Sequence, residues 1–366
     1  MNPKKNKMVG APMWAVAIVV LSSAVGLSAC SDDEEDDAIE AQETHLRCGE
    51  EPPEWVEEAP ELRAYSEGQC PTLEPGFNTI ESSGHERQFK LIVPEDWDGE
   101  TALPTIVMWH WLQGRADSFA ERGQIQKAAN QVGFMAIIPD ARDDLPFQWP
   151  FTTTDDEERI MEEVMFFDDM MACANEFAEV DRQCITSTGI SAGALWTSQL
   201  VQHRSDVLAN FVALSGGVGP SEDTDLDALD ELPSGPESNF TEAIKPWEGA
   251  EHKIPGVVLW GGSEDTCFIN FEVTSQLLQI GLEDDGHFFL ECIHNCAHTK
   301  PPTNPPEGEA PMAAFWEFAL DHPRWVMEGT SPYQYEGVRS DLPQWCGIGM
   351  NGADIRTTDD CGDPDC

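Results

Sequence analysis

The sequence predicts an α/β fold in which a mostly parallel sheet carries helices on both faces. Short apolar runs of strand length alternate with longer stretches of helical periodicity, which is typical of parallel strands joined by crossover helices. The 366 residues suffice for one large domain of this kind with short appendages. The predicted strands are residues 87–93, 105–109, 134–139, 183–188, 211–214, 256–260 and 287–291, and the predicted helices are residues 118–132, 157–177, 192–207, 271–280 and 311–320.

A serine between two glycines marks the end of the fourth predicted strand and the start of a helix. Gly189 and Gly193 permit a tight turn that lifts Ser191 out of the sheet and aims helix N–H groups at developing negative charge. The pattern G-x-S-x-G arises by chance in about one chain in ten of this length, so the context decides. A strand before the motif and an apolar helical pattern after it favour a nucleophile elbow over an ordinary Gly-Ser turn.

A serine hydroxyl becomes a good nucleophile when a histidine accepts its proton and a carboxylate orients that histidine. In this topology the expected chain order is serine, then Asp or Glu, then histidine. Asp265 follows the strand 256–260 and is the predicted acid, with Glu264 as the competing choice. His298 follows the strand 287–291 and is the predicted base, with His294 as the competing choice.

A reaction that passes through a tetrahedral intermediate also needs two N–H donors for the oxyanion. One is expected from Ala192, the residue directly after the serine. The other is expected from the loop of residues 110–114 that follows the strand 105–109, at Leu112. Both donors are backbone groups, so the shape of the loop matters more than the identity of its side chains.

The first thirty residues predict export. Residues 4–7 supply three lysines, residues 8–26 are apolar, and residues 27–30 read Leu-Ser-Ala-Cys. This segment resembles a bacterial lipobox, which implies that Cys30 is lipidated and anchors the mature protein to a membrane. The alternative is a transmembrane anchor, because the apolar run is near the length that a span needs. Either interpretation places the domain outside the cytoplasm, on the cell surface, in the periplasm or secreted.

The rest of the chain divides by composition. We expect an acidic linker at residues 31–76, whose distal part Cys48 and Cys70 can pin, a catalytic domain at 77–326 and a cysteine-containing tail at 327–366. Residues 219–251 form an acidic insertion at the edge where ligand-binding loops gather, and we expect it to cap the site. The spacing of Asp223, Asp225 and Asp227 is reminiscent of a calcium loop, but the sixth and twelfth positions lack the expected glycine and glutamate.

Ten cysteines remain after Cys30, and an even number in an oxidising compartment predicts up to five disulfides. One expected bond joins Cys173 to Cys184, which would clip a helix to the strand before the elbow. Another joins Cys267 to Cys292 or Cys296, which would tie the acid loop to the base loop. A zinc site built from the cysteines and histidines of residues 292–298 is the competing interpretation, but their spacing lacks a C-x₂-C pattern.

The net charge of −48, from 68 acidic and 20 basic residues, argues against nucleic acid as a partner because such a surface repels phosphate. Abundant surface carboxylates and few lysines also suit a salty habitat, where screening shortens the Debye length. No metal or organic cofactor is implied, and a monomer is expected.

Six segments together resemble secreted esterases of the polyhydroxybutyrate depolymerase and feruloyl esterase type. They are residues 87–94, 110–114, 133–140, 189–193, the Asp265 loop and 296–298. The resemblance spans about residues 79–325. It implies the α/β-hydrolase fold, a Ser-His-Asp triad at the three positions chosen above, and an ester, polymeric or small, as substrate.

One departure from that family concerns the oxyanion loop, where the usual His-Gly pair is His110-Trp111. The indole of Trp111 would narrow or line the acyl pocket. Trp149 and Trp196 are further candidates for the cleft wall, although buried packing is the favoured role for both.

The sequence thus predicts a lipid-anchored serine carboxylesterase that acts on polyesters, feruloylated or acetylated polysaccharides, or small esters. Two alternatives stay open: a serine peptidase of the prolyl oligopeptidase type, and a non-catalytic surface binding protein built on a hydrolase scaffold. The peptidase usually carries a second large domain, of which this sequence has no sign.

Overall fold

A computed structural model describes residues 47–222, 224 and 238–362. Within these residues nine strands form one sheet with the spatial order β1-β2-β4-β3-β5-β6-β7-β8-β9. The strands are β1 (Gly76–Ser82), β2 (His85–Ile92), β3 (Leu103–Trp109), β4 (Met135–Pro139), β5 (Val180–Ile190), β6 (Asn210–Leu214), β7 (Gly256–Trp260), β8 (Phe289–Ile293) and β9 (Cys346–Ile348).

The centre of the sheet is parallel and its edges are antiparallel. β4, β3, β5, β6, β7 and β8 run parallel to one another, whereas β1, β2 and β9 pair antiparallel with their neighbours. Every residue of β3, β4, β6 and β7 is buried. Strands covered on both faces lose the alternation of polar and apolar residues, which explains why their sequences are continuous apolar runs.

Helices cover both faces of the sheet. They are α1 (Ala116–Gly123), α2 (Ile125–Val132), α3 (Glu157–Ala178), α4 (Ala192–Arg204), α5 (Ser238–Thr241), α6 (Phe271–Asp285), α7 (Ala313–Asp321) and α8 (Tyr333–Glu336). The apolar residues of α3, α4 and α6 belong to one core cluster and those of α1, α2 and α7 to a second. The predicted mostly parallel sheet with helices on both faces is confirmed.

The single helix expected at 118–132 is two helices. Gln124 adopts a left-handed conformation with φ of 50°, and its N–H closes the last turn of α1 onto the carbonyls of Ala120 and Glu121. Because the hydrophobic spacing continues across this break, sequence periodicity alone could not reveal it.

The predicted boundaries at both ends of the catalytic domain need correction. Residues 47–75 pack on the domain instead of forming a free linker: Cys48 and Leu73 are buried, and the Cys48 N–H donates to Leu320 O at 2.8 Å. The described part of the tail also belongs to the domain, because β9 adds a strand beside β8 and Trp345 is buried. The three-residue β9 is too short to show a sequence period.

Three other expectations fall on residues outside the described ranges: the leader with Cys30, the first part of the linker, and the acidic triplet from Asp223 to Asp227. Among the described residues, no helix combines the length and the apolar character that crossing a bilayer requires.

Candidate active site

The turn at Ser191 has the strand–turn–helix geometry that its motif predicts. Ser191 lies between β5 and α4 with φ of 56° and ψ of −120°, a conformation that non-glycine residues rarely adopt. Its N–H donates to Leu214 O on β6 at 2.9 Å. A Cβ atom on Gly189 would lie 2.1 Å from Gly193 O, and one on Gly193 would lie 2.1 Å from Trp109 O. Both flanking positions therefore require glycine.

The structure brings the three predicted side chains into one hydrogen-bonded chain. The Ser191 Oγ lies 3.0 Å from His298 Nε2, and His298 Nδ1 lies 2.6 Å from Asp265 Oδ1. Since a carboxylate can only accept, Nδ1–H donates to Asp265 and Nε2 is left to accept from the serine hydroxyl. The imidazole stacks on the ring of Phe271, with centroids 4.5 Å apart and an interplanar angle of 12°. These contacts fix both the tautomer and the plane of the imidazole.

Asp265 is fully buried and has two further donors. Ser215 Oγ donates to Oδ2 at 2.7 Å, and the Gly261 N–H donates to the same oxygen at 2.6 Å. Ser215 directly follows β6, with φ of 50°, at the strand edge that also carries Ser191. We did not predict Ser215 from the sequence, although a Ser-Gly-Gly turn after a buried strand was a usable signal.

The competing choices for acid and base lie elsewhere. Glu264 is exposed to solvent. His294 is fully buried, accepts a hydrogen bond from the Cys296 N–H through Nδ1, and faces the ring of Trp345 edge-on. Burial lowers the pKa of His294 to about 4, so this imidazole is neutral at pH 7.

The predicted oxyanion loop is held by side chains on the far side from the cavity. His110 Nε2 accepts from the Ala141 N–H at 3.2 Å, so Nδ1–H is the donor to Trp111 O at 2.8 Å. Trp149 Nε1 donates to His110 O at 2.8 Å. Burial lowers the pKa of His110, which keeps this ring in the neutral tautomer that the two hydrogen bonds need.

The two N–H groups expected to bind an oxyanion are available. Among the hydrogen bonds between described residues, neither the Leu112 N–H nor the Ala192 N–H is a donor. Ala192 is the first residue of α4, where the helix leaves N–H groups without an internal acceptor. Leu112 lines the same cavity as Ser191, and Ala192 directly follows Ser191 in the chain.

A cavity of about 250 Å³ opens at Ser191 and His298. Its wall is largely apolar and includes Trp111, Phe119, Ile125, Phe268, Met312 and Trp316. The Trp111 ring stacks on Phe119 at a centroid distance of 6.0 Å, which holds the indole in the cavity wall as expected. The described residues of the insertion 219–251 do not line this cavity, so its expected role as a cap has no support from them.

Trp149 and Trp196 do not border the cleft, and the buried packing favoured for both is confirmed. Both are fully buried, and both meet the ring of Trp109 edge-to-face, at 5.1 and 6.0 Å. The indole N–H of Trp149 is held by the oxyanion loop, and Trp196 lies on the side of α4 that faces the sheet. Both rings therefore pack beneath the site.

The predicted disulfide pairs are also wrong. Cys184 pairs with Cys48 and Cys173 with Cys70, so both bonds tie the N-terminal segment to the domain. A Cys173–Cys184 bond is excluded because the two side chains belong to core clusters on opposite faces of the sheet. The alternation of side chains along β5 turns Cys184 away from α3.

The acid and base loops are joined by backbone hydrogen bonds instead of a disulfide. Cys292 pairs with Cys346 and Cys296 with Cys361, whereas Cys267 is disulfide-bonded to neither of them. The Ala297 N–H donates to Gly261 O at 3.1 Å. These pairings also remove the two thiolates that the alternative zinc site needs.

Comparisons with known proteins agree on the fold. No protein-family model matches the sequence, and no curated protein matches it. Among solved structures, a variant of pOPH in complex with DMSO is 15% identical, with a TM-score of 0.61 over 80% of this chain and 98% of that chain. Native sOPH is 18% identical, with a TM-score of 0.59 over 82% of this chain and 99% of that chain. Another pOPH variant, in complex with pNPB, is 15% identical, with a TM-score of 0.61 over 78% and 97%.

These similarities, with the strand order and the turn at Ser191, define the class: the chain has the α/β-hydrolase fold. The four disulfides between described residues are typical of proteins that fold in an oxidising compartment outside the cytoplasm.

Proposed function

We propose that this protein is a serine hydrolase that cleaves carboxylic esters, with Ser191 as nucleophile, His298 as general base and acid, and Asp265 as the group that orients His298. The observation that carries the proposal is the continuous hydrogen-bonded chain from Ser191 through His298 to Asp265 at the floor of an apolar cavity. A buried carboxylate, a histidine of fixed tautomer and a serine on a strained turn are the parts that acyl transfer needs.

The first half of the proposed reaction forms an acyl-enzyme. The Ser191 Oγ attacks the ester carbonyl carbon while its proton passes to His298 Nε2, and the charge on the carbonyl oxygen is met by the N–H groups of Leu112 and Ala192. The C–O bond to the alcohol then breaks, and the departing alkoxide takes the proton from His298.

The second half repeats these steps with water. His298 removes a proton from a water molecule, which attacks the acyl carbon, and the bond to Ser191 Oγ breaks as that oxygen regains its proton. Asp265 keeps its charge throughout and stabilises the imidazolium that forms twice per cycle. One fold neighbour, a pOPH variant, was solved as a complex with pNPB, so chromogenic esters are a sensible first substrate.

The test is the rate of hydrolysis of p-nitrophenyl acetate and butyrate by the purified domain and by Ser191→Ala. Loss of the nucleophile should lower kcat by a factor on the order of 10⁴–10⁶. Ser198→Ala is the matched control, because Ser198 lies on the same helix and donates its hydroxyl to Ala194 O inside the helix. Equal rates for wild type and Ser191→Ala would refute the proposal, as would the absence of a covalent adduct on Ser191 after treatment with a fluorophosphonate.

The leader supports a second, separate proposal about location: export and lipidation at Cys30. Metabolic labelling with a fatty acid should mark the wild-type protein and leave Cys30→Ala unlabelled, while both keep the same specific activity once solubilised. Label on Cys30→Ala would contradict lipidation at that residue.

A further inference from the structure

The described charged side chains on the wall of the cavity at Ser191 are opposite in sign to the net charge of the chain. The chain carries 68 acidic and 20 basic residues. Yet the charged side chains that line the cavity are Arg122 and Lys300, and none of its described lining residues is Asp or Glu. Cationic side chains on the wall of a cavity favour a ligand that carries negative charge.

Lys300 has more hydrogen-bond donors than the described residues use. Its ammonium group has three donors, and one of them is used by Arg122 O at 3.1 Å. Among the described residues it forms no ion pair with Asp or Glu. Two lysines outside the cavity differ: Lys90 pairs with Asp117 and Lys253 with Asp285.

The surroundings of Lys300 disfavour its charged form, although the side chain is exposed to solvent. Burial, and then the positive charge of Arg122, lower the pKa of Lys300. An anion bound beside the ammonium would act against both effects, because an opposite charge at short range favours the charged form. The ammonium group is thus placed to pair with an anionic ligand in the cavity.

The position of Lys300 in the chain links this charge to the reacting centre. Lys300 follows His298 by two residues, and both line the cavity that contains Ser191. An ester whose carbonyl lies at Ser191 can lay its apolar part along the Trp111 wall and still present a polar end to the same cavity.

We propose, on the basis of the function proposed above, that the substrates are esters bearing a carboxylate, and that Lys300 binds this carboxylate and sets the preference for it. The carboxylate can sit on the acyl part or on the alcohol part of the ester, and the two sources share the same recognition chemistry.

Two matched ester pairs separate these sources. For the acyl side, p-nitrophenyl hydrogen glutarate is compared with p-nitrophenyl pentanoate. For the alcohol side, 4-carboxyphenyl butyrate is compared with 4-carbamoylphenyl butyrate. The measured quantity is the ratio of kcat/KM for the anionic ester to kcat/KM for its neutral partner, at one fixed ionic strength because salt screens the pair.

Lys300→Met, which keeps the apolar stem and removes the charge, should lower this ratio at least about tenfold for one of the two pairs, as expected for a hydrogen bond between charged groups. Lys300→Arg should retain most of the ratio. The control is Lys127→Met: Lys127 donates to Glu309 O on the surface and does not line the cavity, so its loss should leave both ratios unchanged.

Four results would overturn the inference. If Lys300→Met leaves both ratios at the wild-type value, or if Lys127→Met lowers them equally, Lys300 does not select a carboxylate. In these two cases Ser191-dependent hydrolysis of the neutral esters would still uphold the proposed function. If no ester is cleaved, or if Ser191→Ala cleaves them as fast as wild type, the proposed function fails and this inference fails with it.

Discussion

Ser191 and His298 are held in place by different means. The turn at Ser191 is determined within a few residues, because Gly189 and Gly193 let β5, α4 and the end of β3 approach to distances that exclude a Cβ atom. The loop that carries His298 is not positioned by a comparable pair of glycines a few residues away in the chain. It is anchored by bonds to segments more than fifty residues away, with Cys292 joined to Cys346 and Cys296 to Cys361.

Side chains add to the long-range anchoring of the His298 loop. Asn295 Nδ2 donates to Thr358 O at 3.0 Å, and Arg356 Nη1 donates to Asn295 Oδ1 at 2.8 Å. The described part of the C-terminal tail therefore holds the His298 loop in place. The comparison teaches that the proposed nucleophile is positioned by local backbone geometry, whereas the proposed base depends on a distant part of the chain.

Among the changes that test this comparison, Gly193→Ala should have the largest effect on activity, because it disrupts the close backbone approach at the Ser191 turn. The added Cβ would lie 2.1 Å from Trp109 O and 2.7 Å from His110 O, both backbone atoms that cannot rotate away. The resulting displacement of the turn and of the oxyanion loop should lower kcat/KM about 10²-fold or more.

Gly362→Ala is the control for this substitution, because a Cβ there meets nothing within 4 Å. Ester hydrolysis and thermal unfolding measured on both variants separate a local shift from general unfolding. A Gly193→Ala enzyme with wild-type kcat/KM would show that the close approach at this turn is not needed.

A smaller effect on activity should follow from the double variant Cys296→Ser, Cys361→Ser, which removes the disulfide that anchors the His298 loop to the C-terminal tail. Loss of this bond should reduce the free energy of unfolding by about 2–4 kcal/mol. It should also lower kcat about tenfold, because His298 lies two residues after Cys296 and small displacements of a catalytic group are costly.

The matched control is Cys70→Ser, Cys173→Ser, which removes a disulfide that ties the N-terminal segment to α3. It should show a comparable loss of stability with kcat retained in the folded protein. If the two double variants lose kcat equally, the Cys296–Cys361 bond contributes only stability and does not position the base.

The same contrast between local and distant determinants separates what the sequence predicted from what it could not. The strand at 256–260 was predicted with the observed limits, and the turn at Ser191 was predicted with both of its glycines, because hydrophobic runs and turn residues are local signals. Asp265 and His298 could be chosen because each follows a predicted strand and because the chain order is serine, then acid, then histidine.

The disulfide partners and β9 could not be predicted in this way. Pairing of Cys184 with Cys48 depends on which face of the sheet each side chain reaches, and that requires strand register and the path of the N-terminal segment. Ser215 was missed for a related reason: its contact with Asp265 joins the ends of two neighbouring strands that are fifty residues apart in the chain.

A third effect is confined to acid pH and concerns the stability of the base loop, through His294. Burial lowers the pKa of His294 to about 4 in the folded protein, whereas in the unfolded chain it should be near the usual value of about 6.5. Between these two values the unfolded state binds a proton that the folded state does not, so the free energy of unfolding falls as the pH is lowered. At pH 4 the loss from this residue should be about 3 kcal/mol, and above pH 7 it should vanish.

The test is urea unfolding of His294→Gln between pH 4 and pH 7.5, which should show a shallower loss of stability on acidification than wild type does. The control is His85→Gln, which alters an exposed histidine and should lose stability as steeply as wild type. Parallel curves for wild type and His294→Gln would mean that the neutral imidazole beside the base loop does not cause its acid sensitivity.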